Sequence, residues 1–272
     1  VVAPGTYLET VRFKGKDLVL TSTDPFDPTV VSRTVVDGNG ARLVVVFDGI
    51  ETAACVIEGL TLTRGSLIGS DALGAGICGG TASQRTRATI RTNRILANLE
   101  VGIAYCDGLI VGNTISDNSS WRSAGGMVYC DGVIRGNRIV SNRTFADSAA
   151  GGLAWCQALI ESNTISDNDG SSMGPSGGGL AYCHGVVRSN VVSGNRASGA
   201  AAAGVDHCDG TIQANQIAFN TAQYGGGIAH CYGLIRGNTI ATNYPNGIYR
   251  SDAAVGNNLI LHNQGPGLEQ CD

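Results

Sequence analysis

Apolar residues along most of this chain occur in short runs that are interrupted by glycine, asparagine or Asp-Gly, rather than at the spacing of an amphipathic helix. Within residues 102–118 the runs are GIAYC, GLI and NTI. Each run has the length of a short β-strand, and no ten-residue helical pattern lies between them. The pattern therefore predicts an all-β structure built from short strands.

The same pattern recurs through the chain and is anchored on a cysteine. Six copies fill residues 102–243, and their cysteines are 24, 26, 27, 25 and 23 residues apart. A period of this length indicates a solenoid in which each copy forms one rung. Three short strands per rung predict a parallel β-helix, in which each strand bonds to its copies about 4.8 Å above and below. The anchoring residues are Cys106, Cys130, Cys156, Cys183, Cys208 and Cys231.

Rungs such as GGGIAHCYGLIRGNTIATN resemble the right-handed parallel β-helix repeats of the pectin-lyase-like superfamily, over about residues 50–272. The resemblance implies a right-handed, single-stranded parallel β-helix of about ten rungs with three short sheets. It also implies a secreted, periplasmic or cell-surface location. The superfamily contains polysaccharide lyases, glycoside hydrolases, epimerases, esterases, adhesins and structural domains, so the fold does not choose the function.

We expect residues 1–272 to form one β-helix domain, with N-terminal rungs in 1–50 and regular repeats in 51–272. The line VVAPGTY resembles the N-terminal rungs of secreted β-helix proteins, and GLEQCD opens a further rung at the other end. Neither end shows an evident cap, and the end rungs of a solenoid need cover. We therefore expect neighbouring domains of a longer chain.

Composition restricts the partners. A formal net charge of −4 argues against nucleic acid, which requires a basic face. No apolar run approaches the roughly 18 residues of a membrane span, so no membrane insertion is expected. With 43% hydrophobic residues and 40 glycines, the chain suits a narrow continuous core.

Two polar or sulfur-containing residue types recur in register. We interpret the asparagines as structural ladders at corners, where asparagine tolerates the left-handed backbone and its amide bonds the neighbouring rungs. The nine cysteines are odd in number, fall mostly in one column and include no CxxC, so we predict free buried thiols rather than disulfides or a metal or redox site. The asparagine columns are Asn93, Asn113, Asn137, Asn163, Asn190, Asn215, Asn238 and Asn257, and then Asn98, Asn118, Asn142, Asn168, Asn195, Asn220, Asn243 and Asn263.

The residue before each cysteine is aromatic or histidine. Such large rings and two imidazoles would overfill a narrow core, so we expect them to face outward, with an inward orientation as the alternative. The residue after each cysteine would form a second outward column. The first column is Tyr105, Tyr129, Trp155, Tyr182, His207 and His230, and the second is Asp107, Asp131, Gln157, His184, Asp209 and Tyr232.

Together these columns predict a polysaccharide-binding strip, because sugars stack on aromatic faces while their hydroxyls bond to carboxylates and imidazoles. The longest loops precede this strip and would set specificity, for example those carrying Trp121, Phe145 and Met173. The predicted substrate-binding residues are Tyr105, Tyr129, Trp155, Tyr182, Asp107 and Asp131.

Three histidines fall in adjacent rungs of the strip, about 5 Å apart. That spacing is close enough for acid–base chemistry or for a His/Asp metal site. A lyase or epimerase acting on a uronic acid would use His207 or His230 as the base, and Tyr232 or Tyr182 to protonate the leaving oxygen. The run DHCD at 206–209 resembles the Asp/His motif of alginate epimerases, without its proline. The candidate catalytic residues are His207, His230, Asp209, His184 and Tyr232.

We predict no metal site and no cofactor, with Ca²⁺ as the one ion that lyase chemistry could use. A glycoside hydrolase ranks lower, because Asp209 with Asp131 or Asp206 would have to supply its two separated carboxylates. The alternative from another class is a non-catalytic structural, adhesin or carbohydrate-binding module. A deep groove around His207 and His230 would favour the enzyme, whereas a flat strip of rings packed on each other would favour the module.

Overall fold

The computed structural model describes residues 1–67, 73–170, 177–198 and 202–271. Within these ranges the chain forms a right-handed parallel β-helix, which confirms the predicted fold class. Successive rungs place one strand each in three long sheets, and the pairing is parallel and in register throughout these sheets; Ile103, for example, pairs with Ile77 on one side and Met127 on the other.

We number the three long sheets in the order in which a rung visits them. Sheet 1 contains Val11–Arg12, Val45–Val46, Ile77–Cys78, Ile103–Ala104, Met127–Val128, Leu153–Ala154, Leu180–Ala181, Val205–Asp206, Ile228–Ala229, Ile248–Tyr249 and Leu268–Glu269. Sheet 2 contains Val19–Thr21, Val56–Glu58, Thr89–Arg91, Leu109–Val111, Val133–Arg135, Leu159–Glu161, Val186–Arg188, Thr211–Gln213, Leu234–Arg236 and Ala254–Gly256. Sheet 3 contains Gly5–Tyr7, Thr34–Asp37, Thr61–Thr63, Arg94–Leu96, Thr114–Ser116, Arg138–Val140, Thr164–Ser166, Val191–Ser193, Gln216–Ala218, Thr239–Ala241 and Leu259–Leu261.

Three smaller elements complete the described structure. A short fourth sheet, formed in the excursions between sheets 3 and 1, contains Ser119–Ser120, Arg143–Thr144, Asp169–Gly170 and Arg196–Ala197. An antiparallel hairpin pairs Gly80–Thr81 with Gln84–Arg85. The short helix Pro28–Arg33 is capped at its N-terminus by Asp27, whose carboxylate accepts the backbone N–H of Thr29 at 2.7 Å.

The core is a continuous stack of aliphatic side chains from all three long sheets. The middle residue of each regular strand in sheets 2 and 3 points inward, as Ile110 and Ile115 do, and both are fully buried. In sheet 1 the first residue of each strand, such as Ile103, points into the same core. Because side chains alternate along a strand, the second residue of each sheet 1 strand faces the other way.

Each regular rung turns at three corners that share one geometry. One residue adopts the left-handed conformation, and the next residue points back between the rungs. In one rung these left-handed residues are Tyr105, Gly112 and Asp117, with φ of 60°, 65° and 56°. The asparagines follow the left-handed residue instead of occupying it, so the backbone reason given for them in the sequence analysis was wrong.

The predicted asparagine ladders are confirmed by their hydrogen bonds. The Asn163 amide nitrogen donates to the carbonyl of Ile134 at 2.9 Å and to Oδ1 of Asn190 at 3.0 Å. Its own Oδ1 accepts the backbone N–H of Asn137 at 2.8 Å. At the C-terminal end the ladder continues from Asn238 to Asn258. Asn257, predicted to hold this position, is instead the exposed left-handed residue before it.

Cysteine forms the ladder of the third corner. All nine cysteines are free, and eight are buried, which confirms the predicted thiols. The backbone N–H of Cys208 donates to Sγ of Cys231 at 3.2 Å, and the N–H of Cys231 donates to Oγ of Ser251 at 3.2 Å. The thiols therefore take the acceptor role that asparagine has at the other two corners.

Candidate functional site

The strip predicted from the sequence lies at the corner that ends sheet 1. Tyr105, Tyr129, Trp155, Tyr182, His207 and His230 all adopt the left-handed conformation, with φ between 47° and 60°. Their side chains are partly exposed, while the following cysteines are buried in the main core. The rings therefore lie outside the core, in the outward register. The left-handed residue lets both the aliphatic residue two positions earlier and the cysteine point inward.

Beneath these rings lies a column of small apolar side chains on the outer face of sheet 1. Segments that precede each strand fold over it, so that Val101, Ala124 and Ala150 pack on the column as a second, smaller core. The sequence alone did not predict this second layer. The column contains Ala104, Val128, Ala154, Ala181, Asp206 and Ala229.

Asp206 places a carboxylate in this otherwise apolar column. Asp206 is only 2% exposed to solvent. Oδ2 lies 2.9 Å from Nδ1 of His207, and Oδ1 lies 2.9 Å from Nδ1 of His230 in the following rung. An ionised carboxylate can only accept, so Nδ1 of each imidazole carries the proton of its hydrogen bond. One buried carboxylate thus holds two histidines from consecutive rungs.

Electrostatics follows from this arrangement. Burial raises the pKa of Asp206. The hydrogen bonds and charges of His207 and His230 lower it, and together they outweigh burial, so the pKa lies below its usual value. The hydrogen bond to Asp206 raises the pKa of His207, against the effect of burial. The carboxylate is therefore ionised at neutral pH, and its charge is compensated by imidazole N–H groups.

The rings of the corner column are stacked on one another along the helix axis. Trp155 and Tyr182 have centroids 4.2 Å apart, Tyr182 and His207 5.0 Å, and His207 and His230 4.7 Å. Tyr105 and Tyr129 stack at 5.4 Å. Neighbouring rings therefore cover each other's faces, and the face-on stacking of sugars expected from the sequence is not available within the column. This is the packing that was expected of a non-catalytic module.

The second column of the strip is a hydrogen-bonded ladder. Oδ1 of Asp107 accepts the backbone N–H of Asp131 at 2.9 Å, and Oδ1 of Asp131 accepts the backbone N–H of Gln157 at 2.8 Å. Asp209 accepts the amide of Tyr232 at 3.1 Å. The polar side chains of this column therefore have a structural role. The sequence had led us to predict that they bind substrate.

The predicted catalytic residues fall into two groups. His207 and His230 meet at Asp206, whereas His184, Asp209 and Tyr232 belong to the neighbouring ladder. Nδ1 of His184 lies 3.1 Å from the backbone nitrogen of Asp209 and 3.3 Å from its Oδ2. Within the described residues no hydrogen bond or ion pair joins His184, Asp209 or Tyr232 to His207 or His230.

A cleft of about 840 Å³ lies at the N-terminal part of the strip, three rungs before Asp209. The hairpin residue Arg85 reaches into it, forms ion pairs with Asp107 and Asp131, and lies 5.7 Å from the ring centroids of Tyr105 and Tyr129. The predicted substrate-binding residues of these two rungs are thus gathered around one guanidinium. In the loops before the strip, Trp121 and Phe145 stack at 4.1 Å, and Met173 lies outside the described residues.

The functional residue that the sequence analysis left out of its candidate set is Asp206. It lies next to His207 in the chain, but its importance depends on its column, where the equivalent residues of the flanking rungs are Ala181 and Ala229. The signal available in the sequence was this simultaneous change: alanine becomes aspartate in the same rung in which tyrosine becomes histidine.

The side chains of Asp206, His207 and His230 bring three metal-ligating groups together. One donor atom from each can be chosen so that all three lie within 4.8 Å of one another. No metal site was expected from the sequence, because the contact of Asp206 with both imidazoles appears only in the folded structure.

The fold and this cluster define a parallel β-helix protein with a carboxylate–imidazole group on the outside of one sheet. Residues 111–270, more than half of the chain, match the family described as periplasmic copper-binding protein (NosD), and the chain belongs to that family. No curated protein and no solved structure matches it significantly. The family's periplasmic description agrees with the predicted export from the cytoplasm. No helix of the described residues is long and apolar enough to cross a membrane.

Proposed function

We propose that this protein binds a divalent transition metal, foremost Cu(II), through His207, His230 and Asp206 on the outside of sheet 1. The observation that carries the proposal is the buried Asp206 carboxylate held between two imidazoles, in a column that is otherwise apolar. Burying a charged carboxylate costs free energy, and Asp206 adds nothing to the apolar packing of this column. A role in ligand binding would explain why an aspartate occupies this position. The copper-binding description of the family supports the choice of metal.

The donor types suit this metal. Imidazole nitrogen with carboxylate oxygen is a set that Cu(II), Ni(II) and Zn(II) accept, and Cu(II) binds most tightly at a given site of this kind. The Nδ1–Oδ separations of 2.9 Å are also those of adjacent donors around one ion with bonds of about 2.0–2.1 Å, so an ion could replace the two Nδ1 protons, which would be released on binding. Ca²⁺ prefers six to eight oxygens and fits this set less well.

Soft ligands do not reach the site. Cys208 and Cys231 follow the two histidines in sequence, but both thiols are fully buried in the main core, on the other side of the sheet. The site therefore favours the oxidised ion Cu(II) over Cu(I), which prefers sulfur. Three protein ligands would leave coordination positions open to water or to a ligand from outside.

The test is a Cu(II) titration of the chelator-treated protein, followed by calorimetry and by electron paramagnetic resonance for nitrogen coupling. His207→Ala and His230→Ala should each weaken the affinity by about 100-fold or more, since each removes a ligand. The matched control is His262→Ala, because His262 is an exposed left-handed corner residue outside the site. An affinity that falls equally in the control, or in none of the variants, would contradict the proposal.

A second candidate function is contact with a polysaccharide, for which the cleft around Arg85 is the favouring observation. Arg85, Asp107 and Asp131 offer charged hydrogen-bonding groups there, beside the ring edges of Tyr105 and Tyr129. Such groups suit sugar hydroxyls and carboxylates. A glycan panel with alginate, pectins, glycosaminoglycans and neutral glucans tests it. Weaker binding in Arg85→Gln, with unchanged binding in His207→Ala, would support a recognition module.

The polysaccharide lyase or epimerase predicted from the sequence is the catalytic form of this second candidate. It would use His207 or His230 as the base, so the double variant His207→Ala/His230→Ala should abolish new unsaturated ends or changed uronate residues in the same panel. If the parent protein makes no product from any uronate polymer, this activity is excluded while the metal proposal is unaffected.

A further inference from the structure

The corner column that carries the two histidines continues with Arg250. Arg250 follows His230 by one rung and adopts the same left-handed conformation, with φ of 44°. Its guanidinium carbon lies 5.1 Å from the ring centroid of Tyr249. After the tyrosine and tryptophan rings, the column therefore continues with His207, His230 and Arg250, and Gln270 follows.

A pocket of about 230 Å³ lies beside this end of the column and is lined by Tyr224, His230, Tyr249 and Arg250. Tyr249 is 6% exposed and forms a wall, edge-on to the His230 ring at 5.9 Å and stacked with the Tyr224 ring at 6.2 Å. Tyr224 and Arg250 are exposed, so the pocket opens to solvent. Its volume suits a small molecule and excludes a polymer.

The charge of the pocket is positive. Nε of Arg250 donates to Oε1 of Gln270, a neutral partner, and within the described ranges Arg250 forms no ion pair with a carboxylate. On the outer face of sheet 1, Glu269 pairs in register with Tyr249, and within the described residues its carboxylate forms no ion pair either. The guanidinium thus keeps donors for a partner that carries charge.

We propose that this pocket binds a small carboxylate anion, with Arg250 as its counterion and the Tyr224 hydroxyl as a second donor. A planar guanidinium matches a carboxylate through two parallel hydrogen bonds, and the buried Tyr249 ring covers one side of this pair. The pocket needs no metal for this.

The experiment uses the full chain, freed of metal by a chelator, titrated with acetate and with succinate by calorimetry, and with sulfate as a non-carboxylate anion. We expect both carboxylates to bind and Arg250→Gln to weaken them by about 10-fold or more. Arg250→Lys should retain part of the affinity, because a lysine supplies charge without the bidentate geometry. Tyr224→Phe should cost about 3-fold, and Glu269→Gln should increase the affinity.

Arg236→Gln is the matched control. Arg236 is an exposed arginine of the neighbouring sheet that also bonds a glutamine, Gln213, and lies outside the pocket. Equal carboxylate affinity in Arg250→Gln and the parent, or binding of sulfate alone, would overturn the proposal. A Cu(II) titration of Arg250→Gln in carboxylate-free buffer separates the two sites: unchanged copper affinity with lost carboxylate binding is the expected result, and lost copper affinity would show that Arg250 supports the histidine site instead.

Discussion

Oδ1 of Asp206 lies 2.9 Å from Nδ1 of His230, although the two residues belong to consecutive rungs. The other carboxylate oxygen binds His207 of its own rung at the same distance. The cluster therefore spans two rungs and depends on their register. In the preceding rung the same columns contain Ala181 and Tyr182, and in the following rung Tyr249 and Arg250. The β-helix therefore forms rungs of the same shape without an Asp–His cluster.

A triple substitution should separate function from folding. Asp206→Ala/His207→Tyr/His230→Tyr gives the two rungs the alanine and tyrosine found at Ala181 and Tyr182. We expect the fold to persist, with the free energy of unfolding unchanged or higher by roughly 1–4 kcal/mol, because a buried ionic cluster is replaced by apolar packing. Copper binding should be lost. Urea unfolding and a Cu(II) titration on the same samples measure both effects.

The outcome that would contradict this prediction is a large loss of stability. If the triple variant unfolds at much lower urea concentration than the parent, the Asp–His cluster is a structural element. Loss of copper binding would then carry no information about the site.

The asparagine ladder makes a specific stability prediction. Asn163→Ala removes the acceptor of the backbone N–H and of the side-chain amide of Asn137, and removes a donor to the carbonyl of Ile134. Oδ1 of Asn190 keeps the backbone N–H of residue 163. Buried groups left unpaired cost about 1–3 kcal/mol each, so we expect a loss of about 2–5 kcal/mol in the free energy of unfolding. Chemical denaturation measures it.

Asn257→Ala is the control for this change. Asn257 is exposed and left-handed, and alanine occupies equivalent corner positions at Ala97 and Ala214. The effect should stay within about 0.5 kcal/mol, as for most surface substitutions. A loss as large as that of Asn163→Ala would mean that the residue type, and not the ladder, matters at these corners.

The thiol ladder predicts the reactivity of the cysteines. Eight of the nine free cysteines are buried, and only Cys271 is partly exposed. A thiol reagent should therefore modify at most one group in the native protein and nine after denaturation without reductant. Burial raises the pKa of Cys231 well above its usual value, which slows reaction further, since the thiolate is the nucleophile. Fewer than nine thiols in the denatured protein would reveal disulfides and overturn the ladder of free thiols.

An acid-sensitive contribution to stability is expected from sheet 2. Glu161 accepts from Nε of Arg135 and from Nε and Nη2 of Arg188, and the hydrogen bond from Arg188, followed by that from Arg135, lowers its pKa. A lowered pKa stabilises the folded state above the unfolded value of about 4.3, and this contribution is lost as the pH falls through the folded value. Glu161→Gln should therefore lower Tm at pH 7 but leave it near that of the parent below about pH 3.

Thermal unfolding of the two proteins across pH 2–7 measures this effect. Arg236→Gln provides a comparison, because its partner is the neutral Gln213 and it should show no such dependence. A Tm difference between Glu161→Gln and the parent that persists unchanged at low pH would rule out the ion pairs as its source.

Much of the architecture was predictable from repetition alone. The period of the cysteines and asparagines predicted the parallel β-helix, its free thiols and its asparagine ladders, because residues that are equivalent in sequence must stack when rungs stack in register. Even so, the corner geometry was assigned to the wrong residue: the left-handed position belongs to the residue before each asparagine, and Asn258 rather than Asn257 continues the ladder.

The candidate site was only partly predictable. The shared column of His207 and His230 in consecutive rungs could be predicted, since it follows from the period. The folded structure was needed to show that the rings cover each other's faces and that Asp206 turns outward between two small apolar clusters on sheet 1, with one histidine bound to each of its oxygens. The period of a repeat establishes which residues are neighbours along the solenoid, so these neighbours can be predicted. The direction of each side chain depends on the left-handed corner and on the segments that pack over the sheet, and neither follows from the period.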